Sequence, residues 1–171
     1  MSKPPVFDPY ALFEALDRER ISYVVVGGFA RVVHGSAETT DGLDIAPSLR
    51  EENLRRLGRA LDELEARGPD SKPVDAESLS AADAVTTRTR AGALRIVATP
   101  WGTRGYDDLR IRAYRENLGR GARPQVASVV DCVRMLEASD RAPDTERLLR
   151  LRRMMDLERQ RVPHRRMTIE R

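Results

Sequence analysis

A chain of 171 residues suits one domain with a core of useful size. Its residues are 40% hydrophobic and 33% charged, and its apolar runs are too short to span a bilayer; one cysteine, Cys132, excludes an internal disulfide and any cysteine-based metal cluster. Formal net charge is +3 with a pI of about 9.4, and of 30 basic residues only Lys3 and Lys72 are lysines. Arginine is always ionised and grips phosphate bidentately, so this composition suits an RNA partner as well as solvated helix faces. The segment MSKPPVFDP lacks the apolar stretch of a secretory signal, and a cytoplasmic protein is expected.

The first helix is signalled by Asp8 as cap, Pro9 at its first position and Phe7 as a staple onto Leu12; it should end near Arg20. Ile21 to Val26 reads as an interior strand, because Tyr-Val-Val-Val leaves no solvent face. Gly27 and Gly28 turn the chain into a short helix over 29–34, and a polar loop, 36–41, leads to a second strand at 43–46. Ser48 and Glu51 have the spacing of a capping box, and Leu54, Leu57, Leu61 and Leu64 predict an amphipathic helix over 49–67.

Residues 68–80 read as a connection. Segments 85–90 and 93–99 flank Ala91-Gly92, which reads as a two-residue hairpin turn. A short helix is expected over 109–113 and a strand pair around Gly119 to Gly121. Ser128 should cap a helix over 129–138, and Asp144 should open another to about Arg161, with Leu148, Leu151 and Met155 facing the core. The expectation is an α+β fold, a mixed sheet flanked by helices, in a single domain over 1–161 with C-terminal helices from about 128. Residues 162–171 are expected to form a basic flexible tail.

Four stretches stand out together: GGFARVVHGS at 27–36, TTDGLDIAP at 39–47, VTTRTRAGALRIVATP at 85–100 and GTRGYDDL at 102–109. A glycine pair opening a helix lets backbone N–H groups approach phosphates, and a nearby aspartate on a strand can hold their metal ion. In order and spacing these stretches resemble the nucleotidyltransferase superfamily, in particular the small nucleotidyltransferases of bacterial toxin–antitoxin and phage-abortive systems. The resemblance implies a polymerase beta-like sheet and transfer of an NMP from an NTP to a hydroxyl. It also implies two carboxylates at i and i+2 of the second strand, with a third on the hairpin strand, holding Mg²⁺. Gly27, Gly28 and Ser36 would then bind the nucleotide and its phosphates, and Asp44 would be the catalytic, metal-binding carboxylate.

Residue by residue, the chain departs from that pattern. Gly42 stands at the first carboxylate position and Arg95 at the third, and a guanidinium repels Mg²⁺. Leu136 and Arg147 fall where the family offers a lysine and an acid. Asp41 could serve as a substitute ligand if a bulge at Gly42 rotated it inward; otherwise it is a loop residue. His34 reads as a packing residue at a helix end, and Trp101 and Tyr106 as anchors of a loop on the core, with base stacking as the other possibility. Two functional readings stay open. One is a catalytically impaired or inactive protein of this fold that binds a nucleotide, tRNA or other RNA, or a toxin or antitoxin partner. The other is an active Mg²⁺-dependent nucleotidyltransferase.

Overall fold

The strand Tyr23–Val26 (β1) is buried on both faces, as its unbroken apolar run requires. The computed structural model describes residues 3, 5–139 and 145–161. Around β1 the described residues form a six-stranded mixed sheet of order β3-β4-β2-β1-β6-β5. Its other strands are Gly42–Pro47 (β2), Ala84–Thr89 (β3), Gly92–Val97 (β4), Tyr114–Arg115 (β5) and Gln125–Val126 (β6). β2 is antiparallel to β1 and parallel to β4, so it lies in the middle of the sheet. The expected α+β architecture is therefore observed.

The helices are Pro9–Arg18 (α1), Gly27–Val33 (α2), Glu51–Glu63 (α3), Tyr106–Leu109 (α4), Val129–Ala138 (α5) and Thr145–Arg161 (α6). α1 begins where the sequence indicates: Asp8 Oδ1 accepts the N–H groups of Tyr10 and Ala11, and Pro9 needs no donor there. Leu12, Phe13, Ala15 and Leu16 bury its inner face. Phe7 sets its ring edge-on to Phe29, 6.1 Å between centroids. α5 begins as expected, with Ser128 Oγ accepting the Asp131 N–H at 3.1 Å. Leu151 of α6 is buried with Val129 and Val133 of α5. Asp144, the tail 162–171 and the side chains of Leu148 and Arg147 lie outside the described residues.

Several local expectations are corrected. Ser48 is not a helix cap: it is buried at the end of β2, and its neighbourhood is organised by Asn53. The Asn53 amide accepts the Ser22 N–H and donates to the Ser22 and Ser48 carbonyls, so α3 starts only at Glu51. The hairpin turns on Arg90-Ala91, since Thr89 pairs with Gly92, which opens β4 at a φ of +109°. α2 begins two residues earlier than the sequence indicates, and α4 three residues earlier than expected. Trp101 is exposed, so it does not anchor its loop, whereas Tyr106 packs on the core.

Among the described residues, no helix is long and apolar enough to cross a membrane.

Candidate functional site

The C-terminal end of β1 runs straight into α2, and the side chain that meets this junction is Asp44 of β2. Val26 pairs with Asp44 across the sheet, and Gly27 follows with a φ of +67°. A Cβ on Gly27 would stand 2.4 Å from Asp44 Oδ2, so only glycine fits both the dihedral and the contact. Asp44 thus lies against the first turn of α2, where backbone N–H groups have no partner within the helix.

On its other side Asp44 is paired in register with Arg95 of β4. Arg95 Nη1 stands 4.0 Å from Asp44 Oδ2, with the two side chains 47% and 28% exposed, so the pair is only half in water. Burial raises the Asp44 pKa above the ordinary carboxylate value; the Arg95 and Arg31 charges oppose that shift and Asp41 adds to it. Parallel pairing puts the guanidinium beside the carboxylate because both strands present these residues on the same face.

A Mg²⁺ pair does not fit these residues. Gly42 supplies no ligand, and its backbone approaches β4 so closely that a Cβ would lie 2.9 Å from the Ala93 carbonyl oxygen. Asp44 faces a guanidinium, and a cation near both gains from one about what it loses to the other. Among the described residues no group of three His, Cys, Asp or Glu side chains is placed to hold a metal ion.

Asp41 is exposed in the turn before β2. Gly42, Leu43 and Asp44 pair in unbroken register with Ala93, Leu94 and Arg95, so no bulge turns Asp41 inward. Thr40 Oγ1 donates to the Gly42 carbonyl at 2.8 Å and closes that turn.

Gly28 faces a third charged group. A Cβ there would meet Glu38 Oε1 at 3.3 Å. Glu38 receives both Arg31 Nε (2.9 Å) and Arg31 Nη2 (2.8 Å), and Ser36 Oγ donates to Glu38 Oε2 at 2.7 Å. The Arg31 and Glu38 side chains are 15% and 11% exposed. Ser36 is thus held through Glu38 beside the glycine pair. Gly27, Gly28, Asp44 and, through Glu38, Ser36 come together; Leu136 packs instead against α6. His34 sets Nε2 2.7 Å from the Ala127 carbonyl and ties α2 to the loop before α5. Sequence reasoning missed Arg31 and Glu38. The one signal was an acid two residues after a serine in a polar loop, and nothing in it names an arginine on the preceding helix.

No protein-family model and no curated protein matches the sequence. Solved structures do match in fold. The antibiotic-resistance factor ANT(2'')-Ia, in solution, aligns with a TM-score of 0.56 and 14% identity, over 88% of this chain and 81% of that one. A crystal structure of ANT(2'')-Ia in complex with adenylyl-2''-tobramycin aligns at 0.53 and 13% identity, over 91% and 97%. A protein of Thermotoga maritima described as a nucleotidyltransferase aligns at 0.50 and 15% identity, over 92% and 94%. At these identities the likeness establishes the fold: this chain has the nucleotidyltransferase fold.

Proposed function

We propose that this nucleotidyltransferase-fold protein binds rather than transfers, its site holding a nucleotide, an RNA or a protein partner without a two-metal reaction. The observation that carries the reading is the register of β2 on β4: Asp44 meets Arg95 where the resemblance asks for the third acid, and Gly42, at the position of the first, is closed against Ala93. The Arg95 guanidinium takes the place of the cation and offers a half-exposed donor pair suited to a phosphate. A fold shared with a protein determined in complex with adenylyl-2''-tobramycin supports a nucleotide as the ligand class. The arginine-rich composition supports RNA as the wider partner, and a toxin–antitoxin pair is the setting the sequence resemblance favours.

The alternative is an active Mg²⁺-dependent enzyme moving an NMP from an NTP to an RNA or protein hydroxyl. It is favoured by one observation: Asp41 lies near enough for its charge to act on Asp44. Titration calorimetry with ATP, GTP, CTP and UTP, with Mg²⁺ and with EDTA, separates the two. The binding reading expects heats unchanged by EDTA, and no transfer of label from any NTP to tRNA or to total protein. Tight binding that requires Mg²⁺ would count against the binding reading, and label transfer abolished by Asp44→Ala would establish the enzyme.

A further inference from the structure

At the opposite end of β1 from Asp44, the start of the strand opens onto a half-enclosed cavity of about 400 Å³ between the end of α1 and the strand pair β5–β6. Arg20, Arg115 and Arg123 line it, with Tyr23, Tyr106 and a single acid, Asp17. Among the described residues none of the three arginines forms an ion pair, whereas Arg18, Arg31, Arg59 and Arg134 all do. Asp17 does not neutralise them: its Oδ1 accepts the Tyr23 hydroxyl at 3.4 Å, and the Arg115 charge reaches it only at longer range. Three guanidinium groups against one carboxylate leave the cavity with an excess of two positive charges.

The backbone at Arg20 is also unusual for a residue with a side chain. The residue sits just past the end of α1 with a φ of +53°, and its N–H donates to the Asp17 carbonyl. Helices commonly end in this left-handed conformation, but with glycine there; a side chain costs about 1 kcal/mol or more. Glu65 ends α3 in the same conformation, so Arg20 is set apart by lining the cavity as well.

The geometry points to a binding site for a terminal phosphate group, borne by a nucleotide that is either free or at the end of an RNA strand. The volume admits a phosphate with its sugar and base, and Tyr106 offers a ring beside the guanidinium groups. A phosphate backbone that continued toward α1 would meet acids. The adjoining cavity of about 660 Å³ is lined by Asp8, Glu14 and Asp17 against Arg18 and Arg120, and Arg18 is already paired with Glu14. A strand running that way would meet those acids, which favours a ligand that ends in the cavity. The site shares no residue with the Asp44 region and does not depend on how that region is read.

The test is fluorescence anisotropy with a labelled hexanucleotide RNA carrying either a 5′-phosphate or a 5′-hydroxyl, beside calorimetry with AMP. The 5′-phosphate, or AMP itself, is expected to bind about tenfold or more tighter than the 5′-hydroxyl strand. Arg115→Ala with Arg123→Ala removes that margin, while Asp44→Ala leaves it intact. Arg20→Gly is expected to raise the melting temperature and yet weaken phosphate binding severalfold, which a merely structural arginine would not do. AMP binding as well as the phosphorylated strand identifies a free nucleotide as the ligand; a preference for the strand identifies an RNA end. Equal binding of both strands with no binding of AMP, or a phosphate margin that survives the double substitution, overturns the proposal.

Discussion

Gly42 and Ala93 are in register across β2 and β4, and a Cβ on Gly42 would stand 2.9 Å from both the Cβ and the carbonyl oxygen of Ala93. Glycine here is a packing requirement of the sheet as well as a missing carboxylate. Gly42→Ala is therefore expected to cost about 1–3 kcal/mol, the usual penalty of overfilling a packed site. Adding Ala93→Gly should recover part of it, since one of the two clashing atoms goes. Urea denaturation of the three variants measures this; an unchanged midpoint for Gly42→Ala would contradict the close approach.

Arg95 can be changed without touching that contact. Arg95→Asp sets two carboxylates in register on neighbouring strands and removes the competing guanidinium. The variant is expected to bind Mg²⁺ or Mn²⁺ weakly, with a dissociation constant on the order of 1 mM, as weak oxygen-ligand sites do. Titration with Mn²⁺ followed by its electron spin resonance signal reads this directly. The unmodified protein should show no such site, and a variant equally silent would mean that Asp44 cannot turn toward an ion.

What was legible in the sequence is what local chemistry decides. Asp8 and Pro9 set the start of α1, Ser128 sets that of α5, and Val24 to Val26 can only be an interior strand. The errors fall where a distant residue overrides the local signal. Ser48 has the spacing of a cap, yet Asn53 takes its carbonyl and ties it to Ser22, a contact between elements that no spacing rule contains. β6 is two residues long and owes its place to parallel pairing of Val126 with Val25, roughly a hundred residues away. At the site, Asp44 and Arg95 were readable because the family resemblance assigns acidic positions to both strands, and the parallel register of β2 on β4 sets the two side by side. Glu38 was not, because its partner lies on another element.

Glu38 is the keystone of the charged group beside Gly28. It accepts two hydrogen bonds from Arg31 and one from Ser36 in a largely buried setting. Removing one member of such a pair leaves the other charge desolvated, so Glu38→Ala is expected to cost about 3 kcal/mol. Ser36→Ala, which removes one neutral donor, should cost about 1 kcal/mol. Chemical denaturation gives both values, and equal effects would mean that the arginine finds water when its partner is lost.

Cys132 offers a probe of the packing of α5. It is buried, and its desolvation pushes the thiol pKa up to about 12. A thiol so placed is almost wholly protonated at pH 8 and unreactive. Iodoacetamide at pH 8 should therefore label the native protein negligibly and label it fully once urea unfolds it. Rapid labelling without denaturant would show that α5 opens readily.

Asp44 also gives the fold a pH dependence whose sign decides between two forces. Burial, the largest influence, raises its pKa above the ordinary 3.8, while Arg95 pulls it back. A carboxyl with a raised pKa favours the folded state when protonated. That stability is fully present below pH 3.8 and is lost as pH rises through the folded-state value. Asp44→Asn keeps the neutral form at every pH. The variant should be the more stable at pH 7, by about 1–3 °C in melting temperature for a chain this long, with the difference vanishing below about pH 4. Thermal melts of both proteins across that range make the comparison. A variant less stable at pH 7 would mean that the ion pair with Arg95 outweighs the cost of burying the charge, and that the guanidinium serves mainly to hold Asp44 in place.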